Sequence, residues 1–311
     1  MDCRLRGNDE IWRSFLQSKR MIIFTDEPEK QGGWHGAQLA STLTLRGVDA
    51  VFVSLQDCVI DLSGQKPTVK IPHFDTPPSA VFVRGIAGGS LQQITTRLNI
   101  LHILKTLGVT VYNDGKAIER TVDKAMTSFL LQQNGIATPK TWVCESRAHA
   151  HEIIEKESSL NAQLVIKPLF GSQGQGVRLI NKMPLPMDAY VDGVFYMQQF
   201  IKSPSDYRVF VVNNKAVAAM QRTGEGWLHN VAQGAKCENI IDKTAEKDVL
   251  AIALQAALVL DIAYCGVDVI RDATGKLFVL EVNSIPAWRG LQGVSSVNIA
   301  QTLVDDFLSK I

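Results

Sequence analysis

GVDVIRDATGKLFVLEVN, residues 266–283, reads as two apolar strands joined by a tight turn. Asp268, Glu281 and Asn283 interrupt the apolar pattern. Glu281 and Asn283 lie two residues apart, so on a strand their side chains share a face. Asp272-Ala273-Thr274-Gly275 has turn chemistry, and a hairpin centred there sets Asp268 roughly opposite Glu281. Two carboxylates and an amide then converge on one patch. Like charges held that close repel unless a cation lies between them. An all-oxygen set of this kind suits Mg²⁺ shared with nucleotide phosphates. The plain alternative is a half-exposed hairpin whose acids face water.

Working outward, residues 165–177 read VIKPLFGSQGQGV. A strand delivers Lys167, and a loop with Gly171, Ser172, Gly174 and Gly176 returns to a strand at Val177. Glycines let backbone N–H groups approach phosphate oxygens closely. A Walker A loop is excluded, because it needs Lys after its last glycine and Val177 stands there. A dinucleotide fingerprint is excluded, because it opens a helix. A flexible surface hairpin is the alternative, but a Lys among Val, Ile, Pro and Leu argues for a buried partner or ligand.

Lys124 opens a helical segment and is either a solvated cation or a second charge on a phosphate. Gln198-Gln199-Phe200-Ile201 leaves a strand just before Asp206-Tyr207-Arg208. That exit offers backbone groups to an adenine edge, and Asp206 is a candidate for a ribose hydroxyl or a simple turn residue. Arg222 ends the strand KAVAAMQR, with Asn230 and Gly234 in the loop beyond. An Arg there either stabilises charge developing on a phosphoryl or tetrahedral centre or is a surface cation. SIPAWRGLQG follows Asn283, so Trp288 and Arg289 leave the acidic hairpin either to contact a substrate carboxylate or to cap the sheet. The histidines form no triad that sequence alone can support.

Lys+Arg number 32 against 31 Asp+Glu, a balance that gives no case for nucleic acid or an anionic membrane. No apolar run is long enough for a bilayer, and MDCRLRGNDEIWRSF lacks the apolar core of a signal peptide. The five cysteines are scattered, with no CxxC and no zinc spacing. The expectation is a cytoplasmic protein, either monomeric or homo-oligomeric.

Alternation of strand and helix over the first third predicts an α/β unit with a largely parallel sheet. Its strands are 21–25, 49–55, 80–84 and 109–112, and its helices 36–46 and 91–107. A long helix is predicted over 117–134, then a helix over 147–156 and strands over 163–167 and 176–180. From Tyr196 the texture turns to paired strands, with Asn213-Asn214 as a hairpin turn. Helices at 248–260 and 299–309 close an α+β half. The domains predicted are 1–115, 116–195 and 196–311.

Taken together, the helix-borne Lys, the strand Lys with its glycine loop, the adenine-edge strand and Asp…Glu-x-Asn resemble the ATP-grasp superfamily. KPLFGSQGQGV, GVDVIR and LEVNSIPA in that order look like its RimK-type branch, which ligates glutamate to a carboxylate. The resemblance covers roughly residues 90–310. It implies an ATP-grasp fold, α/β and α+β, with an N-terminal Rossmann-like pre-grasp domain. It implies that Lys124 and Lys167 hold ATP phosphates under the loop 171–176, that Gln198, Gln199, Phe200 and Ile201 frame the adenine, and that Asp206 meets the ribose. Asp268, Glu281 and Asn283 would hold one or two Mg²⁺, or Mn²⁺. Arg222 and Asn230 would line the reacting centre. Arg84 and Gly85 of the pre-grasp domain, with Trp288 and Arg289, would contact substrate. The partners implied are L-glutamate and a small-molecule carboxylate acceptor. Two departures stand out: Gln199 where many relatives carry an acid, and no Arg before paired glycines after Arg222. The ending EVNSIPAWRGLQ is similar to ligases of tetrahydromethanopterin or related coenzyme synthesis.

Overall fold

The computed structural model describes residues 20–171, 176–180, 193–224, 226–227 and 234–311. The chain forms two units: one from residues up to Lys116 together with Asn298–Ile311, the other from Ala117–Val297.

In the first unit, β1 (Arg20–Phe24) follows RMIIF, whose last four side chains are buried. A strand with four consecutive apolar residues belongs in the middle of a parallel sheet covered on both faces. It pairs in parallel with β2 (Asp49–Val53) and β5 (Ala80–Val83), and β5 pairs with β6 (Thr110–Tyr112). Helix α1 (Gly33–Leu45) connects β1 to β2, and α2 (Leu91–Thr106) connects β5 to β6. Ser90 and Gln93 cap α2 reciprocally, which fixes where that helix begins. A small antiparallel pair, β3 (Val59–Asp61) with β4 (Thr68–Lys70), is additional to the sequence expectation.

The predicted 196–311 lobe loses its last helix to this unit. The closing helix Ile299–Leu308 buries Ile299, Leu303, Val304 and Phe307 on one face. Phe307 packs edge-on against Phe82 and also meets Tyr112, with centroids 5.4 and 5.5 Å apart. The Tyr112 hydroxyl donates to Asp306 at 2.7 Å, and Arg46 forks onto Asp305. The helix therefore completes the cover of the parallel sheet.

In the second unit the single helix predicted over 117–134 is two, α3 (Gly115–Val122) and α4 (Lys124–Gln133). Asp123 breaks them, because its carboxylate accepts from the N–H groups of Ala125 and Met126 and so serves as an N-cap. Next come β7 (Thr141–Cys144), which the pattern did not reveal, α5 (Arg147–Ser159), β8 (Leu164–Lys167) and β9 (Arg178–Leu179). With β10 (Phe195–Gln199) they form an antiparallel sheet in the order β7-β10-β8-β9.

The second sheet has the order β13-β12-β11-β14-β15, from β11 (Ser205–Val212), β12 (Lys215–Thr223), β13 (Lys236–Glu238), β14 (Tyr264–Arg271) and β15 (Leu277–Asn283). The β11–β12 turn has Asn213 and Asn214 both at positive φ, 47° and 57°, as a type I′ hairpin requires. Helix α6 (Lys243–Leu260) lays Val249, Ala253, Ala256, Ala257 and Leu260 against Val209, Val211, Val267, Val269 and Val279. Three alanines let the helix approach closely, and the valines occupy one face of the sheet. Among the described residues, no helix is long and apolar enough to cross a membrane.

Candidate active site

The face of the second sheet opposite α6 is charged, and strand register assembles it. The turn predicted at 272–275 forms as expected: the Asp272 carboxylate accepts from the N–H groups of Thr274 and Lys276, and Gly275 takes φ 90°. That fixes β14 against β15 with Asp268 opposite Glu281 and Gly266 opposite Asn283. On the other side, β11 places Arg208 opposite Asp268, and β12 places Arg222 opposite Asp206. Because side chains alternate, the valines at 209, 267 and 269 go to the helix while Asp206, Arg208, Asp268 and Glu281 go to the other face.

All of these groups except the half-buried Glu281 are buried, and they are tightly bonded. Arg222 forks onto Asp206, Nε to Oδ1 at 2.6 Å and Nη2 to Oδ2 at 2.8 Å. Its Nη2 also lies 3.2 Å from Asp268 Oδ1, to which Arg208 Nη1 donates at 2.7 Å. Burial alone would raise the Asp268 pKa, but the Arg208 and Arg222 guanidiniums more than reverse this and hold it below the usual carboxylate range. Burial would likewise lower Arg222, and Asp268 and Asp206 hold it above its ordinary value. Glu281 has no such fork. It accepts from Asn283 Nδ2 at 3.1 Å and lies within hydrogen-bonding reach of Asp268.

Asp206, which the resemblance assigns to a ribose, thus has both carboxylate oxygens on Arg222. Arg208 is the residue that sequence reasoning missed. Its signal was available: an Arg two residues after Asp206 in a strand otherwise reading Tyr, Val, Phe and Val must share the face of that Asp. Gly266 is the hole that admits it. A Cβ at Gly266 would lie 2.8 Å from both Arg208 Nε and Pro286 Cβ. Both neighbours are held, so Gly266→Ala is expected to cost about 1–3 kcal/mol by overpacking. Urea denaturation would show it as a lower midpoint at unchanged slope.

Two lysines complete the charge. Lys167 ends β8, and its Nζ donates to Gln198 Oε1 at 2.7 Å. Lys124, the first residue of α4, donates to the carbonyls of Gly171 at 2.9 Å and Leu169 at 3.2 Å. Burial lowers both lysines, and the charge of Glu281 works against that in each case. Four cations therefore share their surroundings with the carboxylates of Asp206, Asp268 and Glu281. With the Asp123 carboxylate also acting on Lys124, cations and carboxylates balance at four each, so a polyphosphate here would call for a further cation to offset its charge.

The chain enters the glycine loop from β8 as predicted and returns to a strand at Arg178, one residue later than expected, with Gly176 at φ 72° and its missing Cβ only 2.7 Å from Pro168 Cγ. Ser172, Gly174 and Asn230 lie outside the described residues. Gln199 and Phe200 spend their N–H groups on the carbonyls of Lys140 and Gln163, and the Phe200 ring meets Trp227 edge-on at 5.8 Å. The Gln198 side chain turns to Lys167, a partner the sequence did not suggest. Trp288 is 1% exposed and packs edge-on against Phe210 at 5.9 Å, so it caps the sheet rather than reaching substrate. Arg289 is exposed at the start of α7 (Arg289–Gln292). Arg84 and Gly85 lie in the first unit, where both N–H groups donate to Phe24 O and a Cβ at Gly85 would meet Asp26 Oδ1 at 2.4 Å.

The donor set fits a hard cation. Among the described residues no three His, Cys, Asp or Glu side chains gather to hold a metal, so the hairpin offers two carboxylates and an amide rather than a closed shell. That is the incomplete oxygen set Mg²⁺ takes when phosphates and water supply the rest.

Comparison with known proteins gives three results. Residues 121–307 match the model of the RimK-like ATP-grasp domain. The chain is 32% identical to the tetrahydromethanopterin:alpha-L-glutamate ligase of Methanococcus maripaludis, over 93% of this chain and 98% of that one, and 37% identical to the Methanocaldococcus jannaschii protein of the same name over 74% and 79%. Among solved structures, the ATP-grasp ligase PsnB with its minimal precursor superposes with a TM-score of 0.72 at 18% identity, covering 94% of this chain and all of that one.

Proposed function

This chain belongs to the RimK-like ATP-grasp family, and from that membership we propose that it joins L-glutamate to the carboxylate of a small coenzyme-type acceptor. It is an ATP-dependent carboxylate–amine ligase, forming an amide through an acyl phosphate and releasing ADP. The acceptor class rests on the relatives named for tetrahydromethanopterin. The observation that carries the reading is the charged face of the second sheet, with two buried arginines and two half-buried lysines around three carboxylates.

Each residue has work to do in that reaction. Lys124 and Lys167 exchange neutral acceptors for phosphate oxygens. One or two Mg²⁺ ions held by Asp268, Glu281 and Asn283, with Mn²⁺ as a substitute, supply neutralisation of the phosphate charge when bound. Arg222 is clamped by Asp206, so its guanidinium needs no reorganisation when negative charge develops during phosphoryl transfer. The same fixed charge suits the oxyanion formed when the glutamate amine attacks the acyl carbon, before that oxyanion collapses to the amide and expels phosphate. The loop 171–176 would cover the reacting groups and exclude water, which competes for the acyl phosphate.

The test is to incubate the protein with Mg-ATP, L-glutamate and small-molecule extracts. ADP release should require both glutamate and an acceptor, and one compound should gain glutamyl mass. Binding of Mg-ATP with no ADP release from any acceptor extract defeats the proposal.

A further inference from the structure

Behind Lys167 lies a chain of buried polar groups that the ligase reaction does not by itself require. Gln198 is 1% exposed, and β10 runs antiparallel to β8 with Tyr196 opposite Lys167. Gln198 is then the diagonal neighbour of Lys167 on the same face. Its Oε1 accepts from Lys167 at 2.7 Å, and its Nε2 donates to Thr141 Oγ1 at 3.1 Å and to the Tyr196 hydroxyl at 3.3 Å. Thr141 stands directly opposite Gln198 on β7.

Proton bookkeeping fixes the amide. The Thr141 hydroxyl donates to Pro139 O at 2.9 Å, so toward Gln198 it can only accept. The Tyr196 hydroxyl shares a 2.8 Å bond with Ser128 Oγ, which can take its proton. Flipping the amide would set oxygen against the Thr141 oxygen and NH₂ against the ammonium. One orientation survives, and it aims the carbonyl oxygen at Lys167. A lysine in such surroundings usually pairs with a carboxylate. Here the acceptor bonded to it among the described residues is neutral, held in place from behind by two hydroxyls.

We propose that Gln198 is a positioning residue for Lys167: its amide, locked by Thr141 and Tyr196, holds the ammonium where it meets nucleotide phosphates and, being uncharged, yields it to them. This rests on the reading of Lys167 as a phosphate ligand. A carboxylate at 198 would bind the ammonium too strongly to release it. An apolar side chain would leave it unheld.

Mg-ATP binding by calorimetry, KM and kcat for ATP, and thermal stability decide the matter in Gln198→Glu, Thr141→Val and Thr141→Ser. Gln198→Glu should keep or raise Tm yet weaken Mg-ATP by roughly tenfold or more, as expected for an added charge-assisted bond that phosphate must break. Thr141→Val should raise KM by roughly three- to tenfold with kcat nearly unchanged, the effect of one lost hydrogen bond. Thr141→Ser, which keeps the hydroxyl, should restore it. The proposal is overturned if Thr141→Val binds Mg-ATP like wild type, or if Tm and affinity fall together in Gln198→Glu. Calorimetry needs no acceptor, so failure of the ligase reading, Mg-ATP binding without ADP, registers separately.

Discussion

Glu281→Gln is expected to lower ADP formation by at least about 10²-fold, the scale set by losing one pre-placed electrostatic group in an active site, while leaving the fold intact. Asp268 shares its charge with two guanidiniums, whereas Glu281 is bonded to Asn283 and faces Asp268 across the hairpin. It is therefore the carboxylate most available to a cation. Gln has the same shape, and it removes both the repulsion with Asp268 and the attraction for Lys124 and Lys167, so thermal stability should change little. Mg-ATP should raise the Tm of wild type and not that of the variant, by the linkage of ligand binding to stability. Full turnover in Glu281→Gln would remove the metal assignment. Loss of turnover with a large drop in Tm would instead make Glu281 a structural group.

Arg222→Ala should be the most damaging single change to stability in the second unit. It leaves Asp206 and Asp268, each 6% exposed, with Arg208 as the remaining guanidinium. Breaking a buried pair from one side typically costs about 3–5 kcal/mol, a large part of the ~5–15 kcal/mol that holds most domains together. Arg222→Lys keeps the charge but loses the fork, so it should recover part of the stability and little of the activity. The double change Arg222→Met with Asp206→Leu should recover stability more fully, since a well-packed apolar pair replaces a buried ionic one at little cost. It should recover no turnover. Urea denaturation of this double variant and of its two single variants, Arg222→Met and Asp206→Leu, gives the coupling between 206 and 222, and a coupling near zero would refute the clamp.

Local chemistry was legible in the sequence where the partners are close along the chain. The turn 272–275 and the positions of Asp268, Glu281 and Asn283 follow from alternation plus turn residues, and the structure keeps them in that register. The Asn213-Asn214 turn follows the same logic. What escaped depends on which strands become neighbours. Asp206 and Arg208 could be placed on one face, but Arg208 meets Asp268 because β11 lies beside β14, which no local pattern encodes, and Asp206 meets Arg222 because an irregularity at Phe210–Val211 shifts the β11–β12 register by one residue. Trp288 stayed between two readings for a related reason: an aromatic in an irregular segment can serve a ligand or cap the sheet until Phe210 is known to lie beneath it. Asp123 was read as helical because its role as a cap depends on a change of helix direction rather than on the apolar period.

The closing helix has one more implication, for the order of synthesis. The parallel sheet of the first unit is made early, yet the apolar face of Ile299–Leu308 that covers it emerges only after the whole of Ala117–Val297. The second unit is continuous in the chain and can complete itself first. The earlier-made sheet must wait, with Phe82 and Tyr112 unshielded by Phe307, until a contact spanning nearly two hundred residues can close. A nascent chain stalled before residue 299 is thus born with one finished unit and one apolar sheet still open to solvent. In that interval the first unit, not the second, is where a chaperone or an aggregate would find its hold.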